Sequence, residues 1–236
     1  MSYKEYNIQL MDHVTGEVIA TSGGVCFVAQ DGTSAKQTLY SDKNGTSLSN
    51  PLTLTRGNIG FFVADTVNLV DLYIEAPGGQ FVVMEDVAPM GPNEIFIDTG
   101  RKDQVQVIPF DHADITANTE TDTGFDTGTN KVYLPWPYVK VVDVDTSETI
   151  DVGSDAGFGN DPNGFIAALS VATAGTVLAS NETGVDTLGA LLTVNASATL
   201  QAQPAPPTGS SGDISITTSA GSDTGGGFIY LPYRLG

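Results

Sequence analysis

Apolar stretches in this chain are short, and nearly all of them end in residues that bend the backbone. In the first half the runs are EYNIQLM, GVCFVAQ, KQTLYS, LTLT, IGFFVA, LVDLYIE, QFVVM, EIFID and QVQVIPF. Between them stand DHVTGE and SDKNGT, where Asp or Asn ahead of Gly supports the positive φ of tight hairpin turns. APGGQ and APMGPNE are loops that neither a strand nor a helix would tolerate. QVQVIPF alternates with the two-residue period of a strand, Val105 and Val107 on one side, Gln104 and Gln106 on the other. Short strands at this spacing predict an all-β protein built of β-sandwich or jelly-roll-like domains.

The pattern breaks at residues 111–130, DHADITANTETDTGFDTGTN, which are polar, acidic and almost free of large apolar side chains. They read as an acidic linker or long exposed loop between an N-terminal β domain, 1–110, and a C-terminal β domain, 131–236. In the second domain KVYLPWPYVKVVDVD, SETIDVG, GTVLAS, LGALLTV, GDISITTSAG and GGFIYLPYRL read as strands. FIAALSVATAG is the one stretch that also suits a helix, and PAPPTGSSG is a surface loop. DTGTNKVYLPW (126–136) is echoed by DTGGGFIYLPY (223–233). The echo predicts two related strands, each launched by an Asp-Thr-Gly turn, that lie in one domain as neighbours.

Charge excludes several partners. Nine Lys and Arg stand against 28 Asp and Glu, and no basic residue occurs between Val141 and Tyr233. Such a chain offers no cationic patch for a nucleic-acid backbone or an anionic membrane surface. Its acidity serves solubility. No apolar run approaches the length of a membrane span, and MSYKEYNIQL lacks the pattern of a signal peptide, so a soluble protein made in a cytoplasm is expected. The single cysteine, Cys26, sits in an apolar run and reads as a buried thiol.

Asp-Thr-Gly occurs at Asp98, Asp122, Asp126 and Asp223, and it is the signature of aspartic proteases. Only the Asp98 copy follows an apolar strand, so turn chemistry explains the motif better than a shared-proton carboxylate pair. His13 and His112 stand in polar text, no Gly-x-Ser-x-Gly elbow is present, and a lone cysteine with two histidines does not make a zinc site. Asp151, Asp155, Asn160, Asp161 and Asn163 offer hard oxygen ligands for calcium, but without EF-hand spacing or a closing Glu. No cofactor and no catalysis are expected. The aromatic residues Tyr133, Trp136, Tyr138, Phe228, Tyr230 and Tyr233 gather on the echoed strands, as core or as an interface to a partner.

Two segments resemble virion proteins of tailed bacteriophages. TLYSDKNGTSLSNPLTL (38–54) is similar to a module of phage structural and tail proteins through Tyr40, Ser41, Asp42, Gly45, Thr46, Leu48, Asn50 and Pro51. YLPWPYVKVVDVDTSETIDVG, LSVATAGTV and SITTSAGSDTGGGFIYLPY resemble the C-terminal part of phage virion proteins. The resemblance implies a non-enzymatic assembly protein located in the virion. It fits best a capsid decoration (cement) protein that binds the major capsid protein on the outer head surface as a homotrimer. A tail or fibre component that binds carbohydrate or a receptor is the alternative. The 1–110 domain is expected to contact the capsid, because it carries six of the nine basic residues.

Overall fold

In the computed structural model the residues described are 2–20, 23–89, 94–97, 103–127, 131–134, 136–144, 149–154, 161–179, 181–182, 185–186, 189, 192, 212–219 and 225–235. Apart from a short 3-10 turn at His112–Asp114 and isolated Leu192, their regular structure is strand. No helix among them is long and apolar enough to cross a membrane. The protein is all-β and sandwich-like. Two compact units are distinguished, Met1–Arg101 and Lys102–Gly236.

The first unit contains β1 (Tyr3–Asp12), β2 (Val25–Gln30), β3 (Leu39–Tyr40), β4 (Ser47–Leu48), β5 (Leu52–Thr53), β6 (Asn58–Ala64), β7 (Val70–Glu75), β8 (Phe81–Val87) and β9 (Glu94–Ile97). One sheet runs β4-β3-β6-β1-β9 and the other β5-β2-β7-β8. Alternate residues of both sheets point into one core: Tyr6, Ile8 and Leu10 of β1, Ile59, Phe61 and Val63 of β6, Cys26 and Val28 of β2, Val70, Leu72 and Ile74 of β7. Each such side chain contributes about 1.5–3 kcal/mol by leaving water. Tyr6 stacks on Phe61, its register partner, at 4.7 Å, and its hydroxyl donates to the Val87 carbonyl at 3.2 Å. Burial pushes the Tyr6 phenol up to about 12 and raises the Cys26 thiol as well, so both stay neutral.

The segment similar to the phage module joins the two sheets of this unit. After β3, Asp42 closes the turn: its carboxylate accepts from the Asn44 and Thr46 amides and from the Thr46 hydroxyl. Gly45 occupies positive φ (86°) under Tyr3, where a Cβ would strike the phenol. After β4 the chain crosses to β5 through Asn50 and a cis bond to Pro51. The Asn50 side chain donates to the Val28 and Gln37 carbonyls at 2.6 and 2.9 Å and accepts from the Val28 amide at 3.0 Å. One amide therefore stands in for a neighbouring strand along β2.

The second unit contains β10 (Asp103–Asp111), β11 (Thr121–Asp126), β12 (Lys131–Tyr133), β13 (Tyr138–Asp143), β14 (Thr149–Ser154), β15 (Asp161–Ser170), β16 (Gly175–Leu178), β17 (Asn181–Glu182), β18 (Val185–Asp186), β19 (Asp213–Thr218) and β20 (Gly226–Leu235). One sheet runs β10-β20-β13-β16, with β12 also on β20, and a second runs β11-β19-β14-β15. Tyr133 of the first meets Phe165 of the second at 4.7 Å between ring centroids. The ambiguous FIAALSVATAG falls mostly in β15, a strand. Parts of PAPPTGSSG and LGALLTV lie outside the described residues.

Two boundaries differ from the sequence expectation. QVQVIPF, placed at the end of the first domain, is β10 and pairs with β20 from Asp103↔Arg234 to Asp111↔Gly226. Residues 111–126 are not a linker. They form the 3-10 turn and β11, which pairs with β19 through Thr121↔Ile216 and Asp126↔Asp213. Phe125 anchors β11 in the core with no exposure. The echoed strands β12 and β20 are antiparallel neighbours, with Tyr133 opposite Tyr233.

Two outcomes follow from the fastened turn and crossing. Asn50→Ala removes three hydrogen bonds to partly buried backbone, and chemical denaturation should show a loss of about 2–4 kcal/mol. Asn50→Asp, which keeps the acceptor but not the donors, should not restore it. The hydrogen bonds from Thr46 and Asn44 hold the Asp42 carboxyl below its ordinary value. Its stabilising effect is therefore present above the unfolded pKa, roughly 3.9, and is lost as pH falls through the folded value. An NMR titration should find Asp42 low in the native protein and closer to ordinary in Thr46→Val.

Candidate interaction surface

The sheet β10-β20-β13-β16 has two unlike faces. Inward lie Ile108 and Phe110, Ile229, Leu231 and Tyr233, Val139 and Val141, all buried. Opposite residues share a face, so the register sets the outer rows: Leu178 beside Tyr138, Tyr138 beside Tyr230, Tyr230 beside Val107. On the inward face Gly227, opposite Val141, lets β13 and β20 close up, since a Cβ there would overlap the Lys140 carbonyl. Tyr138 and Tyr230 stack with centroids 4.4 Å apart and planes 8° from parallel. Their ring faces are turned toward neighbouring strands, and burial raises the Tyr138 phenol. Trp136, just before β13, is 54% exposed and Leu178 is 64% exposed.

The aromatic candidates thus separate. Trp136, Tyr138, Phe228 and Tyr230 belong to the outer side, half-buried or exposed. Tyr133 and Tyr233 do not form an interface. They are 1% and 0% exposed, because the inward positions of β12 and β20 point at the second sheet.

β10 reverses a simple reading of its alternation. Gln106 is the inward residue with no exposure, while Val105 is 39% exposed. The amide is held by polar company: Lys131 Nζ donates to Gln106 Oε1 at 3.3 Å and to the Asp126 carbonyl at 2.9 Å. The Tyr133 hydroxyl lies 2.9 Å from the same Oε1, and Lys131 stands 5.1 Å over the Tyr233 ring. Lys131, fully buried, thereby ties β12 to β10, β20 and the turn after β11. No sequence pattern flagged this lysine; its place inside an apolar strand pair was the available signal.

The candidate ligating residues are dispersed. Asp151 accepts from the Ala168 amide at 2.7 Å, fastening a bulge where Ala168 takes φ 49°. Asp161 and Asn163 belong to β15, a strand rather than a binding loop, and Asp155 and Asn160 lie outside the described residues. Asp122 accepts from Gly124 at 2.6 Å within β11, which makes that Asp-Thr-Gly copy a strand irregularity. Asp98 and Asp223 lie outside the described residues. His112 is buried against Phe110, and His13 is exposed in a turn.

A different set of acids converges. Asp31, Asp71 and Asp86, from the ends of β2, β7 and β8, bring one carboxylate oxygen each within 4.8 Å of one another. Asp71 is 4% exposed and accepts from the Gly32 and Asp86 amides, both at 3.0 Å. Three side-chain oxygens fall short of the six to eight that calcium takes. Desolvation, then a hydrogen bond with Asp86 and the charges of Asp86 and Asp71, raises the Asp31 carboxyl above its ordinary value.

Comparison with protein-family models, with curated proteins and with solved structures gives no match.

Two measurements check these environments. A raised Asp31 favours folding below its unfolded pKa and loses that advantage as pH rises through the folded value. Asp31→Asn should therefore raise the melting temperature at pH 7 but not below about pH 4. In urea, Gln106→Leu should cost about 2–3 kcal/mol, because it strips a hydrogen bond from a buried ammonium. Lys131→Met should cost less, since it also removes the charge that is expensive to bury.

Proposed function

We propose that the protein is a structural component of a tailed-phage particle, a decoration protein that binds the major capsid protein on the outer head surface and bridges neighbouring subunits. The role is mechanical rather than catalytic. One observation carries the reading: every residue of the phage-like module has a task in the fold. Tyr40 packs edge-on against Tyr3, Ser41 pairs with Thr46, Asp42 and Thr46 close the turn, and Gly45 sits beneath Tyr3. Leu48 packs on the core, and Asn50 and Pro51 make the crossing between sheets. The likeness is thus one of a folded connector and supports carrying over the class of protein.

Charge and surface agree with this role. Twenty-eight acidic residues keep the chain from packaged nucleic acid and suit an outer surface. The first unit, with Lys4, Lys36, Lys43, Arg56 and Arg101, is the better match for the capsid. The stacked Tyr138 and Tyr230 show edges rather than faces, which suits protein contact more than the flat stacking that sugars use.

Quantitative mass spectrometry of purified particles tests the assignment. Hundreds of copies per particle are expected. A dozen or fewer would move the protein to the tail or a fibre, and its absence from particles would overturn the reading.

A further inference from the structure

Lysine side chains ordinarily keep their charged end in water. Lys131 does not: it is fully buried in the second unit, and its Nζ meets a carboxamide. Nζ lies 3.3 Å from Gln106 Oε1, the oxygen bonded to the carbonyl carbon Cδ. Gln106 Nε2 donates to the Asp126 carbonyl at 3.4 Å, and Lys131 Nζ donates to that same carbonyl at 2.9 Å. One backbone oxygen therefore holds both nitrogens. The Tyr133 hydroxyl stands 2.9 Å from Oε1 and 3.2 Å from the Thr127 carbonyl. Gln106 and Lys131 have no exposure, and Tyr133 has 1%.

These are the parts of an amide exchange. An amine held about 3–3.5 Å from an acyl group replaces a bimolecular encounter with an intramolecular one. A donor beside the carbonyl oxygen stabilises the charge that gathers there as the carbon becomes tetrahedral. Burial keeps water from competing for that carbon. The exchange also relieves the interior of a cation that is expensive to bury, because the positive charge departs with the nitrogen that leaves.

We propose that the folded protein joins Lys131 to Gln106 by an isopeptide bond. The hydrogen-bonded pair is the state before reaction. Lys131 Nζ bonds to Gln106 Cδ, and the bond from Cδ to Nε2 breaks. Nζ begins with three protons and keeps one. The other two pass to the departing nitrogen, which leaves as ammonium, so atoms and charge balance without an oxidant or reductant. The Tyr133 hydroxyl donates to Oε1 while the carbon is tetrahedral and keeps its proton at the end. The product closes residues 106–131 into a covalent ring that includes β11 and ties the three-residue β12 to β10 across β20. Such a ring restricts the unfolded chain, as a disulfide does. The bond goes beyond the virion reading and does not depend on it.

Intact-mass spectrometry of the full chain in denaturant tests the bond, which unfolding does not break. The mass should lie below that of the 24.6 kDa sequence by one molecule of ammonia. Trypsin needs an unmodified lysine, so it should pass over Lys131 and release residues 103–140 as one peptide that carries the loss. Lys131→Met should return the chain to its full sequence mass. Tyr133→Phe keeps the ring in the core, but it should link about 10²-fold more slowly and be recovered partly unlinked. A folded wild-type chain at the full sequence mass would overturn the proposal. So would a loss of ammonia that persists in Lys131→Met, or one that maps to Asn44 and Gly45, where a succinimide would account for it. A Tyr133→Phe chain that links as wild type does would overturn the part given to the hydroxyl.

Discussion

The second unit depends on a pairing between strands far apart in sequence. β20 lies between β10 on one side and β13 and β12 on the other, so the sheet has no centre until the last strand arrives. Asp103 meets Arg234 across most of the unit's length in sequence. Closing so large a loop costs entropy before contacts offset it, which makes slow, cooperative folding the expectation for this unit. The same strand supplies Tyr233 to the interior and Tyr230 to the outside. One strand thus sets both the core and the outer row of this sheet.

Polar groups fix the geometry that apolar burial leaves open. Burial alone would accept a strand slipped by two residues, which keeps every side chain on its face. The buried Gln106, Lys131 and Tyr133 do not, because each would lose its hydrogen bond. In the first unit Asn50 has the corresponding role, reading both the amide and the carbonyl of Val28 from alongside β2. Both devices fasten short pairings: the three-residue β12 beside β20 in one case, the stretch of β2 beyond its pairing with β5 in the other.

Local chemistry was legible in the sequence, and distant pairing was not. The all-β class and the turns built on Asp, Asn and Gly follow from residues within a few positions of one another. So does the link between the echoed segments, whose shared Tyr-Leu-Pro pattern marks strands of one sheet. β11 escaped because TDTGFD has one large apolar residue, Phe125, and its partner strand lies about ninety residues on, at Ser215 and Ile216. Core and interface stayed equally open for Tyr133 and Tyr233 in the sequence, because composition cannot tell the two faces of a strand apart; the second sheet decides that for the core. The acids that converge, Asp31, Asp71 and Asp86, come from three strands and share no motif, whereas those close in sequence, Asp151 and Asp161, serve strands.

We propose that this chain works by presenting a surface, with its fastened first unit turned toward a capsid. Cryo-electron microscopy of the particle that carries the chain tests it most directly. Expected is density for the chain on the outer head surface, with the first unit against the capsid. Density for the chain elsewhere, or on the head with the first unit turned away from the capsid, would contradict the proposal.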